Sequence, residues 1–193
     1  MSKQNGFSLI EVMVTLAIAA IVLSIAVPSY QTAVQNNRRT TATNELATAF
    51  QLARSTAISQ RVFTVVCKSP DGATCPMGAG SGDWTQGWMI FTDVDNNGAM
   101  NGGDTLIRVH GTLPGGATFI GNNNVVNRVS FSPQGLARGS NGTITHCDAR
   151  GAADASALII SVGGQVRHAT DTDGDGIVDT GTAGTVGVNV TCP

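Results

Sequence analysis

The sequence predicts an α+β protein: a long N-terminal helix, half transmembrane and half amphipathic, packed on an antiparallel β-sheet domain. Three observations carry this expectation. From Phe7 to Val27 the only charged residue is Glu11, and at about 1.5 Å rise per residue the stretch makes a helix of about 31 Å, one bilayer crossing. Between Ala42 and Ala57 apolar side chains recur at helical spacing. After Arg61 the period falls from about 3.6 to about 2, and short β-type runs alternate with Gly, Asn, Asp and Pro clusters.

The first element opens on Met1-Ser-Lys-Gln-Asn-Gly6, polar and carrying one positive charge at Lys3. An ordinary secretory signal has its cleavage site beyond the apolar run, whereas here the distinctive residues sit at the polar-to-apolar junction, so the helix is expected to be kept. At Gly6, Phe7 and Glu11 the chain resembles the type IV pilin and type II secretion pseudopilin superfamily, whose motif is glycine, an aromatic residue and a glutamate five residues into the mature chain. The resemblance implies that residues 1–6 are a prepilin leader and residues 7–27 a transmembrane and filament-core helix. It further implies that prepilin peptidase cuts between Gly6 and Phe7 and methylates the new amine of Phe7. A charge in a spanning helix costs a few kcal/mol (about 2.5–3.5 for Asp, Lys or Arg at the centre), so Glu11 calls for a partner. The family's proposed partner is the N-terminal amine of a neighbouring subunit. The alternative is that Glu11, less than two turns from the helix start, reaches the headgroups.

Pro28 follows the apolar run, and a bend or loosened turn is expected there because proline removes a helix hydrogen bond. Residues 28–60 are expected to be the amphipathic half of the same helix. Ala42, Leu46, Ala49, Phe50, Ala53 and Ala57 form its apolar stripe, with Arg38, Arg39, Glu45, Gln51 and Arg54 mainly between them. Residues 61–193 form the globular part. Strands are expected at 62–67, 87–92, 105–110, 117–120, 128–132, 143–147 and 157–162, paired antiparallel in one or two sheets.

Within these strands the resemblance narrows to the GspH/FimT group of minor pilins and pseudopilins. It rests on Trp84-Thr-Gln-Gly-Trp88-Met-Ile-Phe91-Thr-Asp93, Asn96-Asn-Gly98, Asp104 and Leu106-Ile-Arg108, then on Phe131-Ser-Pro-Gln-Gly135, Cys147 and Leu158-Ile-Ile-Ser-Val162-Gly-Gly-Gln-Val-Arg167. It implies a minor pilin of a type IV pilus acting in initiation or tip assembly, anchored once in the inner membrane with a periplasmic domain and then displayed on the pilus. Its partners would be other minor and major pilins and the prepilin peptidase. The alternatives are a minor pseudopilin of a type II secretion system and a DNA-binding minor pilin.

Composition agrees with an extracytoplasmic β protein: 12% of the 193 residues are charged and Gly is plentiful at 24. Without residues 1–6, ten basic groups face thirteen acidic ones, a net charge of −3 that sets up no general attraction for nucleic acid. The four cysteines form an even set suited to an oxidising compartment. Of three connectivities, Cys67 with Cys75 and Cys147 with Cys192 is favoured. The first pair flanks the turn-rich Lys68-Ser-Pro-Asp-Gly72, and the second ties down the tail. No zinc spacing is present.

Two acidic segments have calcium-loop spacing, although no cofactor is required by this reading. Asp171-Thr-Asp173-Gly-Asp175-Gly176-Ile-Val-Asp179 places carboxylates at positions 1, 3, 5 and 9 with Gly at 6, but position 12 is Thr182. Clustered carboxylates repel unless solvated or metal-bound, which makes this the stronger candidate. The weaker candidate offers Asp93, Asp95, Asn97 and Asp104, and its Asn-Asn-Gly also suits a hairpin turn. For nucleic acid, the family's DNA-capturing members carry Gly-Arg-x-Arg, where this chain has Gly164-Gln-Val-Arg167. Arg167 with His168, Arg150 and Arg138 is a thin patch, and one or two phosphate contacts give little affinity. No nucleophile elbow, phosphate loop or metalloprotease helix is found, and His110, His146 and His168 are scattered, so no enzyme is expected.

Overall fold

The computed structural model describes residues 6–76, 83–122, 124–181 and 187–193. Helix α1 runs Leu9–Gln60 without interruption at Pro28. The chain divides into two compact units, Met1–Thr40 and Thr41–Pro193. The first consists of the start of α1, where Leu9, Ile10, Leu16, Ile21, Leu23 and Ile25 are all exposed. Among the described residues α1 is the one helix long and apolar enough to cross a membrane. Pro28 cannot donate to the preceding turn, and its own carbonyl accepts the Thr32 hydroxyl at 3.1 Å.

The second unit holds a core between helix and sheets. Ala-rich sequence favours helix between Thr41 and Gln60, and the stripe expected from its spacing, Ala42, Leu46, Ala49, Phe50, Ala53 and Ala57, is buried throughout. Among the described residues eight strands follow: β1 Phe63–Lys68, β2 Trp88–Asp93, β3 Leu106–His110, β4 Thr118–Gly121, β5 Arg128–Phe131, β6 Gly142–Cys147, β7 Ser156–Ile160 and β8 Val166–His168. They form two four-stranded antiparallel sheets, β3-β2-β1-β5 and β4-β6-β7-β8. The first seven fall at the expected positions. The eighth was missed, because Val166-Arg-His168 is too short to show a period of two.

Strand alternation explains the layering. Val66, Trp88, Ile90, Val129 and Phe131 of the first sheet meet Phe119, Ile144, Leu158 and Ile160 of the second and the helix stripe in one cluster. Trp84, wholly buried, packs edge-on to Phe50 and donates its indole N–H to the Val125 carbonyl. The opposite faces are also closed. On the first sheet Val65, Cys67, Met89 and Phe91 are covered by Cys75 and Met100. On the second, Cys147, Ala155, Ala157 and Val190 are covered by Ala169, Ile177, Val178 and Cys192. Each outer face therefore carries one disulfide, Cys67 to Cys75 and Cys147 to Cys192, and one of the two acidic segments.

Candidate functional site

The N-terminal motif is built on a helix start. Ser8 precedes α1, its Oγ and carbonyl both accept the Glu11 amide, and its carbonyl also accepts the Val12 amide. Ser8-Leu-Ile-Glu11 thus has the Ser-x-x-Glu spacing of a capping box, with Glu11 in the first turn, where the helix dipole favours an anion. The Ser-x-x-Glu spacing is the sequence signal for this cap. A Cβ added at Gly6 would meet nothing within 4 Å, so local packing does not demand glycine there. The expected leader otherwise lies outside the described residues.

The acidic segment after β2, here loop I, brings the carboxylates of Asp93, Asp95 and Asp104 within 4.8 Å of one another. Each of their oxygens already accepts a donor from the same loop. Asp93 takes the Asn97 and Gly98 amides, Asp95 the Asn97 amide with the Asn97 and Asn101 side-chain amides, and Asp104 the Val94 and Asn101 amides. The fourth expected ligand oxygen, Asn97 Oδ1, accepts the Ala99 amide. Arg128 lies over Gly98 and donates to its carbonyl. Burial pushes the Asp93 carboxyl up, against the opposing pull of the Gly98 and Asn97 amides. Loop I is closed upon itself as a turn, with Asn96 and Gly98 at positive φ.

The segment after β8, loop II, is organised differently. Asp171, Asp173 and Asp179 come within 4.8 Å of one another. Asp175, expected to join them, falls outside this group: its Oδ1 accepts the Ile177 amide and its Oδ2 the Asn189 side chain at 2.6 Å. Asp171 accepts the Gly176 and Gly174 amides, which hold its carboxyl below the usual range. Asp173 is raised: the Asp175 amide favours its ionised form, but desolvation and the carboxylates of Asp175 and Asp179 outweigh it. Asp179 is only 4% exposed; its Oδ2 accepts the Thr172 amide and hydroxyl, while its Oδ1 has no donor among the described residues. The returning tail runs beside the loop, with Asp179 bridged to Asn189, the Val190 amide donating to the Val178 carbonyl and the Thr180 amide to the Val188 carbonyl. Asn189 Oδ1 is likewise buried without a donor among the described residues. The tail's part in this site had no signal in the loop's linear spacing, and Thr182 lies outside the described residues.

Arg167 is exposed on β8 opposite Ile159, and Arg138 is exposed on the loop after β5. Arg150 is engaged with Asp148 at 2.6 Å and Asp154 at 3.1 Å. A structural arginine was missed: Arg54, expected on the polar face of α1, donates to the carbonyls of Gly135 and Gly163 and so joins the helix to turns from both sheets. His110 stacks on Trp88 with centroids 4.0 Å apart, and its Nε2 lies 3.3 Å from Glu45.

Comparison with known proteins places this architecture. Residues 42–164 match the family model described as type II transport protein GspH, and residues 1–27 match the prokaryotic N-terminal methylation motif. Two crystal forms of the type IV minor pilin FimU of Pseudomonas aeruginosa share the fold. One has a TM-score of 0.53 and 24% identity over 69% of this chain and 89% of that one, the other 0.51 and 23% over 68% and 92%. A search of curated proteins gives no match. The GspH model spans well over half the sequence and takes in the helix stripe and strands β1 to β7, so the chain belongs to the GspH family of pilins and pseudopilins.

Proposed function

We propose that this chain is a minor pilin of a type IV pilus, matured by prepilin peptidase and acting by packing rather than catalysis in pilus initiation or at its tip. The observation that carries the reading is the start of α1: an unbroken apolar helix, exposed from Leu9 to Val27, with a single acid at Glu11 in its first turn. Such a surface needs a bilayer or other apolar helices to cover it. Gly6 adds to this, since a residue the local fold does not require suits recognition by a peptidase. After cleavage at Gly6–Phe7 the chain sits once across the inner membrane with its β domain in the periplasm, until it enters the filament. Apolar helices then associate laterally, Glu11 pairs with the Phe7 amine of a neighbouring subunit, and the β domain selects neighbouring pilins. The likeness to FimU, itself described as a type IV minor pilin, favours the pilus over a secretion pseudopilus.

Mass spectrometry of the N-terminus in membrane and sheared-filament fractions tests this reading. A chain beginning at N-methylated Phe7 in sheared pili is the expected result. An uncut leader, or a mature chain absent from pili and recovered with secretion machinery, overturns it.

A further inference from the structure

Loop II holds more negative charge than its own donors satisfy. Asp171, Asp173 and Asp179 each present a carboxylate oxygen within 4.8 Å of the other two. Two oxygens on one Ca²⁺ lie at most about 5 Å apart, twice the Ca–O distance of about 2.3–2.6 Å. Proximity of acids alone says little, and loop I has it too. Loop II differs in that its innermost member, Asp179, is 4% exposed and keeps Oδ1 away from any described donor. A buried carboxylate oxygen that no N–H meets is costly and is an open place for a cation. The adjoining Asn189 Oδ1 is a second buried acceptor with no donor among the described residues, on the tail segment bridged to Asp179.

We propose that loop II is a calcium site, in which Asp171, Asp173 and Asp179 hold one Ca²⁺ and thereby tie the C-terminal tail to the second sheet. The donor set is all oxygen, which suits a hard cation and excludes the sulfur and imidazole preferences of zinc. Asp175 takes no direct part; by holding Asn189 it draws the tail against the loop. Ile177 and Val178 on the loop and Val190 on the tail lie over the outer face of the second sheet with Cys147 and Cys192. The ion therefore stabilises the apolar cover of that sheet as well as the loop. The inference is independent of the pilus reading, because every residue in it belongs to the Thr41–Pro193 unit.

The test is a calcium titration of the full chain in zwitterionic detergent after treatment with EGTA, read as the thermal midpoint of near-ultraviolet circular dichroism. The wild type is expected to show a saturable rise with half-saturation near the range of extracellular calcium modules, about 10⁻⁴–10⁻³ M. Asp171→Asn, at an exposed position, should need at least tenfold more Ca²⁺, while Asp95→Asn in loop I should respond as the wild type does. No saturable rise in the wild type overturns the proposal, as does an unchanged response in Asp171→Asn or a lost one in Asp95→Asn. An equal response to Mg²⁺ overturns the choice of calcium.

Discussion

Loops I and II begin from nearly the same linear pattern, aspartates two apart followed by glycine, and end in different physical states. Both follow a strand of a four-stranded sheet, and both help close that sheet's outer face beside a disulfide, loop I with Met100 and loop II with Ile177 and Val178. In loop I every carboxylate oxygen of Asp93, Asp95 and Asp104 accepts a donor from the same turn, and Arg128 covers Gly98. In loop II the tail supplies Asn189 to Asp175, but Asp179 Oδ1 and Asn189 Oδ1 find no donor among the described residues. Acid spacing alone therefore leaves the two loops alike. They part at one atom, the buried Asp179 Oδ1 of loop II, which has no donor among the described residues.

The comparison breaks most readily at the disulfides. Replacing both Cys147 and Cys192 by Ser opens a covalent loop with a sequence separation of 45 and should lower stability by about 4 kcal/mol, against about 2.6 kcal/mol for the Cys67 and Cys75 pair, whose separation is 8. Denaturant midpoints followed by near-ultraviolet circular dichroism measure both. Equal costs would mean that loop II's tail is held mainly by other contacts.

A smaller effect separates the aspartates at position 1 of each loop. Asp93→Ala should cost about 2–4 kcal/mol, because it strands the amide of the buried Gly98 and the half-buried hydrogen bond from Asn97. Asp171→Ala in chelator should leave the unfolding midpoint nearly unchanged, since its partners Gly174 and Gly176 lie at the surface. A comparable loss in both variants would remove the distinction between a self-closed and an open loop.

The subtlest test is pH. The folded pKa of Asp93 is raised by burial, so its contribution is fully present below the unfolded value and is lost as pH rises through the folded one. Asp148, outside both loops, is depressed first by its hydrogen bond to Arg150, so its contribution is present above the unfolded value and is lost as pH falls through the folded one. The advantage of wild type over Asp93→Asn should therefore shrink as pH rises through the carboxylate range, while that over Asp148→Asn grows. Slopes of the same sign would show that burial does not dominate at Asp93.

Much of the fold was legible because it rests on periodicity. The stripe from Ala42 to Ala57 and the first seven strands each repeat long enough to declare a period, and the cysteines flank recognisable turns. The candidate sites were less so. Arg54 reads as one more polar residue on a helix face, yet it binds Gly135 and Gly163, 81 and 109 residues away in sequence. Asp175 has the spacing of a ligand, but Asn189 claims it from 14 residues downstream.

The sequence by itself determined what depends on neighbours a few residues apart: an apolar helix with one acid near its start, the α+β class, the turns and the chemistry of the two acidic segments. Tertiary structure alone decided the division of strands into two sheets, the union of their inner faces with the helix in one core, and which carboxylate oxygens went unpaired. The reason is physical. Periodicity and capping act within a few residues along the chain, whereas burial and hydrogen-bond satisfaction depend on groups that only folding brings together, as Asn189 is brought to Asp175 and Asp179.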